Sequence, residues 1–319
     1  MKKMRKFVLL TAASMLLPVI IYNTVFAQVI TREQLQNTEN IDVLREIGES
    51  VARDTKNETL PESEIPGRIE VYMENVLGDD EKEAIISVFY GPKYNITAVY
   101  KEENGGYEYV GELGTFFNPK DVKVKNFNKG NPIVFVSDYI NQQAGAFEES
   151  VYFYGYTWND EKDEFINVFL EPMNIDAQWL ENGVWQKAER KGKAVYENSS
   201  VPNIKTEYNQ FYYTAEDDGT KSKPEDDEYT LVEEWTENEL FYWSDRWQRF
   251  IVGEAVEKST GDKVAVISRW EKLPYTRAPE FAGYENYVRI VRSDGSMEVV
   301  PEGNLGNVEV KKESTMENV

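Results

Sequence analysis

The feature that most constrains the fold is a succession of short apolar runs between about residues 68 and 301. The runs are rich in Val, Ile, Tyr, Phe and Trp, and turn-forming clusters separate them: GDDEKE, KEENGGY, NKGNP, NDEKDE, KSTGDK and RSDGSM. This alternation is typical of antiparallel hairpins. We expect three of them to turn at Asn104-Gly105-Gly106, Thr260-Gly261-Asp262 and Asp294-Gly295. The pattern predicts a mainly β fold, with a propeller-like or β-sandwich body and a polar tail at 302–319.

A different spacing precedes the β region. Apolar residues recur there at helical intervals, at Ile41, Leu44, Ile47 or Gly48, and Val51. Acidic residues occupy the other faces, which predicts a short amphipathic helix over 39–54 and argues against a membrane-surface role. Pro61 and Pro66 then interrupt the pattern. We therefore expect residues 28–67 to form a helical arm and linker ahead of the main fold.

Two parts of the β region resemble each other. One begins IEVYMENVLGDDEKEAIISVFY and the other DVKVKNFNKGNPIVFVSDY, with an offset of 51 residues that grows to 58. The corresponding positions are Val71 and Val122, Met73 and Val124, Asn75 and Asn126, Val76 and Phe127, and Tyr107 and Phe165. A repeat of about 50 residues matches one four-stranded propeller blade. We place the two repeats at 68–173 and a further aromatic-rich β region at 174–301.

The repeated frame resembles the FG-GAP or VCBS repeats of extracellular β-propellers, over about residues 68–172. In that family a turn similar to D-x-N-G-D-G holds calcium, and NVLGDDEKEA at 75–84 and NFNKGNP at 126–132 are the matching loops. The resemblance implies a propeller-like module, and Glu239 to Val256 is similar to another closing hairpin. The loops depart from the family at their first position, where Asn75 and Asn126 replace the aspartate.

The N-terminus has the pattern of a bacterial-type signal peptide. Four basic residues precede an apolar run from Phe7 to Phe26, and Val25 and Ala27 are the small residues expected before a cleavage site. Cleavage after Ala27 would leave Gln28 as the first residue of a secreted or cell-envelope protein without membrane insertion. Retention of the run as an anchor is the alternative. No Cys follows it, which excludes a lipid anchor attached through cysteine.

The chain contains no Cys and no His. This composition excludes Ser-His-Asp and Cys-His catalysis, disulfides and the usual zinc sites. The formal charge is −22, and about −26 without residues 1–27. Such a chain would repel nucleic acid and anionic membranes. It is compatible with a cation, a neutral sugar or a basic partner, and solubility alone is the simpler explanation of the charge.

Calcium is the cation that the resemblance implies, but the residues argue against it. A tight site needs six to eight oxygen ligands, with several carboxylates. Asp79, Asp80 and Glu81 could serve the first loop, whereas the second has no acidic residue. The acidic cluster at 215–229 lacks the spacing of a calcium loop and is expected to be a mobile solvated segment. We assign no metal and no cofactor.

Aromatic residues provide the candidates for ligand binding. In a strand, Tyr152, Tyr154, Tyr156 and Trp158 share one face, while Phe153, Gly155 and Thr157 share the other. The first set could stack on sugar rings or on a partner's side chains, although packing in the core is the simpler interpretation. Trp243 and Trp247 flank a polar turn, and we expect them to be more exposed.

Two function classes follow. The first is an exported, non-catalytic binding or interaction protein whose partner is a protein or glycan at the cell surface. The alternative is a carbohydrate-active hydrolase with paired carboxylates, which needs neither His nor Cys. Asp245 beside Trp243 and Glu271 beside Trp270 are its candidate acids. A purely structural role in a larger assembly is a third possibility.

Overall fold

The computed structural model describes residues 29–56, 65–91, 94–127, 130–143, 146–220, 222–269 and 272–310. The predicted signal peptide at 1–27, the expected mature terminus Gln28, and Trp270 and Glu271 lie outside these ranges. Within them, no helix is long and apolar enough to cross a membrane.

The described residues form two α-helices, eighteen strands and several 3₁₀ turns. The helices are α1 (Arg32–Gln36) and α2 (Ile41–Asp54). The first strands are β1 (Ile30–Thr31), β2 (Arg68–Glu74), β3 (Glu83–Phe89), β4 (Asn95–Glu103), β5 (Gly106–Phe116), β6 (Pro119–Lys125), β7 (Ile133–Gln143), β8 (Phe147–Asn159) and β9 (Glu164–Glu181). The others are β10 (Val184–Glu197), β11 (Asn203–Glu216), β12 (Thr230–Ser244), β13 (Arg249–Ile251), β14 (Gly253–Val256), β15 (Lys263–Arg269), β16 (Tyr287–Val291), β17 (Met297–Pro301) and β18 (Glu309–Val310). The 3₁₀ turns are Asp226–Glu228, Pro274–Arg277, Pro279–Phe281, Tyr284–Asn286 and Glu302–Asn304.

The strands form three antiparallel sheets. The N-terminal sheet has the order β1-β5-β4-β3-β2, the central sheet runs from β13 to β6 in consecutive order, and the C-terminal sheet has the order β17-β16-β15-β14-β18. Most neighbours in a sheet are consecutive in the chain, so hairpins account for most of the pairing. The predicted mainly β fold with antiparallel hairpins and a short N-terminal helix is confirmed.

Local turn chemistry explains why the hairpins close where the sequence predicts. Asn104 and Gly105 join β4 to β5 with φ of 52° and 86°, the left-handed region that such a two-residue turn requires. Gly261 and Gly295 also have positive φ, of 79° and 84°, in the turns before β15 and β17. The three predicted hairpin turns are therefore present.

The three sheets are stacked through separate apolar clusters. Ile85, Val99 and Leu113 of the N-terminal sheet pack with Val134 and Val136 of the central sheet. On the other side, Phe169 and Phe241 of the central sheet pack with residues of the C-terminal sheet that include Val264, Val288 and Ile290. The central sheet is thus covered on both sides over part of its area.

Helix α2 covers the outer side of the N-terminal sheet. The Asn40 side chain caps its start by accepting from the amide of Asp42. Ile47 and Val51 are buried against a cluster that includes Ile86 and Ala98, whereas Ile41 is exposed. The segment therefore packs on the sheet instead of extending away from it as an arm.

The region of the two predicted repeats, 68–173, contains two successive groups of strands. Residues 68–116 contain β2 to β5, and residues 119–181 contain β6 to β9, each a run of four antiparallel strands. The second group continues into β10 and does not end a sheet. The kinship of these groups with FG-GAP or VCBS repeats stays a prediction.

The beginning of the expected C-terminal tail is also structured. Leu305 is buried in the cluster between the central and C-terminal sheets, and β18 pairs with β14. Residues 305–310 therefore return to the C-terminal sheet.

Candidate functional site

The stripe of aromatics on β8 is divided between different surroundings. Tyr154 and Tyr156 contact the ring of Phe116 edge-on, with centroids 5.4 and 6.2 Å apart, between the N-terminal and central sheets. Phe153 packs instead against the cluster shared by the central and C-terminal sheets. Burial raises the pKa of Tyr154 to about 12. These two tyrosines belong to the core.

Trp158 and Trp243 lie on one concave surface, which we call the tryptophan cleft. It encloses about 320 Å³, and its other lining residues include Phe127, Asn131, Asp160, Ile166 and Gln248. The Asn131 amide donates to the carbonyl of Trp158 and to Asp160, at 3.1 and 3.3 Å. The structure thus brings together two predicted residues that are far apart in the chain.

Trp247 lines neither this cleft nor the pocket described next. Its indole N–H donates to Glu254 Oε1 at 2.8 Å, and its ring packs beside Tyr242 and Ile251. Neighbouring Asp245 is exposed.

The last predicted residue, Tyr152, lines a larger concavity that we call the aromatic pocket. It encloses about 450 Å³ between β8 and β9 of the central sheet, β15 and β16 of the C-terminal sheet, and the connection between those last two strands. Five aromatic side chains contribute to its wall: Tyr152, Trp179, Tyr275, Phe281 and Tyr284. Its charged lining residues are Glu148, Glu171, Arg269 and Arg289.

Residues 272–286, which we call the strap, hold one side of the aromatic pocket. Lys272 Nζ contacts Glu237 Oε2 at 2.6 Å, and the Arg277 guanidinium lies 3.2 Å from Glu233 and over the ring of Trp235. Farther along, the Trp179 indole donates to Glu280, and Phe281 meets the Trp179 ring edge-on. The strap is therefore fastened to β12 and β9, which places its aromatic side chains against the central sheet.

A buried polar cluster lies beside this pocket. Arg190 donates to Glu171 Oε1, to the Pro172 carbonyl and to Gln210, each at 3.0 Å, and also to the carbonyl of Lys272. Tyr208 donates to the same oxygen of Glu171 at 3.1 Å. Burial raises the pKa of the Glu171 carboxyl, while Arg190 and the Tyr208 hydroxyl oppose that rise.

Two tyrosine hydroxyls of the aromatic pocket, those of Tyr152 and Tyr275, stay neutral well above physiological pH. Burial raises the pKa of both side chains. Arg289 acts in the opposite direction on the pKa of Tyr152, because its positive charge favours the ionised form. The pocket thus combines aromatic rings, neutral hydroxyls, two carboxyl groups and two guanidinium groups.

Sequence reasoning identified Tyr152 and missed the other members of the pocket. Trp179 was one aromatic among many in the β region. Tyr275, Phe281 and Tyr284 belong to PYTRAPEFAGYENY, which has neither strand nor helix periodicity. Three aromatic residues in a segment that contains Pro and Gly could have indicated a binding loop, because loops often carry binding residues.

In the loop with the strongest resemblance to a calcium site, the acidic side chains form ion pairs with Lys101 of β4. Lys101 Nζ lies 2.7 Å from Asp79 Oδ2 and 3.1 Å from Glu81 Oε2. Asn75 Oδ1 accepts from the Gly78 amide at 2.9 Å. Across the part of the chain that the structure describes, no group of three or more carboxylates is placed to hold a metal ion.

Comparison with known proteins identified no relative whose function could be compared with that of this chain. No protein-family model, curated protein or solved structure matches this chain.

Proposed function

We propose that this chain is an exported, non-catalytic binding protein of the cell envelope or medium, and that the aromatic pocket is its ligand site. The observation that carries the proposal is the convergence of five aromatic side chains on a concavity of about 450 Å³. Ligand sites are typically concave and largely apolar, with few polar groups that fix orientation. A volume of this size suits one or two ring-sized units, such as the end of a glycan.

The arrangement of the rings supports recognition of a flat or ring-shaped group. Trp179 is fixed at its N–H by Glu280, and Phe281 lies against its ring. Tyr284 is 44% exposed, so part of its ring is available to solvent. Aromatic faces bind ring C–H groups with little loss of side-chain entropy, which favours stacking on sugars.

The engagement of Glu171 supports a non-catalytic role. A general acid or nucleophile must reach the substrate, but Glu171 Oε1 accepts from both Arg190 and Tyr208. Its surroundings are those of a structural ion pair.

A hydrolase is the second candidate, because two carboxylates, Glu148 and Glu171, line the same pocket. Paired carboxylates are the machinery of most glycoside hydrolases. Release of new reducing ends from an oligosaccharide by the wild-type chain, and its loss in Glu148→Gln, would favour this candidate over the binding protein.

The binding proposal can be tested by titrating the purified chain with chitotetraose, cellotetraose and tetragalacturonate while its tryptophan fluorescence is recorded. We expect a saturable change with at least one of them, because Trp179 lies in the pocket wall. Tyr284→Ala should weaken that binding by about tenfold, the loss expected for one stacking ring.

Tyr94→Ala is the matched control, since Tyr94 is 54% exposed and does not line the pocket. It should leave the affinity unchanged. Absence of binding to all three oligosaccharides would contradict a glycan ligand, and binding that Tyr284→Ala leaves intact would contradict the aromatic pocket as the site.

A further inference from the structure

We infer that the aromatic pocket selects ring compounds that carry a carboxylate, and that Arg289 binds that carboxylate. The inference rests on the proposed function and adds the chemical class of the ligand.

The position of Arg289 follows from the register of β16. Its neighbours Val288 and Ile290 are buried in the cluster between the central and C-terminal sheets. Side chains alternate along a strand, so Arg289 projects to the other side of β16, where it lines the pocket. Ser268, its partner on β15, lines the pocket as well. The guanidinium is thus carried by a paired strand rather than by a mobile loop.

Arg289 is partly buried, and among the described residues it makes no hydrogen bond or ion pair. The carboxylates of the pocket are engaged elsewhere. Glu171 is bound by Arg190 and Tyr208, and Glu148 Oε1 accepts from the Ser150 hydroxyl at 2.8 Å. A guanidinium has five N–H donors, and no donor of Arg289 is among the fully buried polar atoms without a partner, so these donors are accessible to solvent or to a ligand. An anion in the pocket would provide the acceptor.

The charge of Arg289 extends into the pocket. It lowers the pKa of Tyr152, Tyr154 and Glu171 against the opposite effect of burial. Tyr152 and Glu171 line the pocket, so the charge of Arg289 acts on two groups of its wall. A ligand carboxylate placed there would be favoured by the same field.

The local balance of charge differs from that of the whole chain, which is −22. Glu171 is balanced by the fully buried Arg190, and Arg269 acts on the partly buried Glu239. Glu148 is then the remaining acid of the wall and Arg289 the remaining cation. A ligand carboxylate would be held by its bidentate contact with Arg289 and not by a net positive charge of the wall, and the rings of Trp179 and Phe281 line the same pocket.

Two kinds of ligand share this chemistry, the uronic acids of acidic glycans and aromatic carboxylates. Two matched pairs of compounds separate the contribution of the carboxylate to affinity from that of the ring. They are glucuronate with glucose, and phenylacetate with phenylacetamide. Titration calorimetry should show that the charged member of one pair binds about 10- to 100-fold more tightly, as expected for a charge-assisted bidentate contact. The pair with the larger ratio of affinities shows whether the ligand is a uronic acid or an aromatic carboxylate.

Arg289→Met should abolish the preference for charge, whereas Arg289→Lys should retain part of it. Arg45→Met is the matched control, because Arg45 lies on α2, where it pairs with Asp42. It removes the same charge from the chain and should leave the preference unchanged. Circular dichroism verifies that each variant is folded. If a variant does not fold, the affinities of the wild-type chain for the matched ligands still test whether the pocket prefers a carboxylate.

Equal affinity within both pairs would overturn the inference and leave the proposed binding function intact. Charge preference that survives Arg289→Met would overturn the role of Arg289. Failure of all four compounds and of the three oligosaccharides to bind would overturn both proposals.

Discussion

Arg190 Nη1 lies 3.0 Å from Glu171 Oε1 inside the central sheet, where both side chains are almost completely buried. The pair connects β10 to β9, and through the Lys272 carbonyl it also connects the central sheet to the strap. A guanidinium cannot lose its proton in proteins, so burial requires that every donor find an acceptor. Loss of the ion pair should therefore disturb both the pairing of β9 with β10 and the attachment of the strap to the central sheet.

Replacement of Arg190 by Met should destabilise the chain by about 3–5 kcal/mol, because Glu171 would remain buried without its partner. The double variant Arg190→Met/Glu171→Leu should recover part of that loss, since no charge is left behind. Urea unfolding measures both. Lys193→Met, which breaks an exposed pair with Glu207, should cost less than about 1 kcal/mol. A similarly small loss in Arg190→Met would show that the buried pair has no structural role.

Features that depend on a few consecutive residues were predictable from the sequence. Asn104-Gly105 specifies its turn because only residues that tolerate positive φ can form it. Helix α2 follows from the spacing of Ile47 and Val51. The alternation on β8 also correctly separated Tyr154 and Tyr156 from Phe153, which pack in different clusters.

The aromatic pocket was not predictable because its members meet only through tertiary packing. Tyr152 lies on β8 of the central sheet and Tyr275 lies in the strap, so no sequence periodicity relates them. Strand β9 adds a second difficulty, since its pairing with β8 shifts register at Val151/Tyr152 and again at Gly155/Tyr156. Such bulges redirect side chains without a signal in a single sequence. The buried charge of Glu171 and Arg190 is likewise invisible in a strand pattern that contains many charged residues.

Gly192 should tolerate no side chain. A Cβ there would lie 2.5 Å from the Met173 carbonyl oxygen and 2.9 Å from Tyr208 Cδ1. The carbonyl belongs to the backbone of β9 and cannot move without disturbing the pairing, so Gly192→Ala should cost about 1–3 kcal/mol. Gly303→Ala is the control, because nothing lies within 4 Å of its Cβ position. Equal urea midpoints for the two variants would contradict the close approach.

Stability should rise as the pH falls towards about 4.5. Burial raises the pKa of Glu171 and Glu239 above the ordinary value of 4.5, so protonation favours the folded state, and the gain is complete below that value. Reduced repulsion within the acidic chain acts in the same direction. The pKa of Asp79, lowered by Lys101, and that of Asp226, lowered by Lys187, have the opposite consequence, because their stabilisation is lost as the pH falls below 3.8.

Urea midpoints at pH 8, 6.5, 5 and 3 test this dependence. Among these four conditions the highest midpoint should be at pH 5, and Glu239→Gln should reduce the rise in midpoint as the pH falls. No His or Cys contributes in this range. A midpoint that decreases steadily from pH 8 to 5 would show that the buried carboxyls do not control the profile.

Calcium should not stabilise the chain specifically, despite the resemblance of the loop at 75–84 to a calcium site. Lys101 Nζ already lies within 3.1 Å of the carboxylates of Asp79 and Glu81, and Asn75 offers a neutral oxygen that is engaged by Gly78. A micromolar site in about 1 mM calcium would add roughly 4 kcal/mol and raise the melting temperature by several degrees. Thermal melts in calcium, magnesium and chelator at matched ionic strength should instead coincide, because the remaining effect is screening of surface charge. A saturable rise with calcium alone, at micromolar concentration, would mean that the cation displaces Lys101 from the loop.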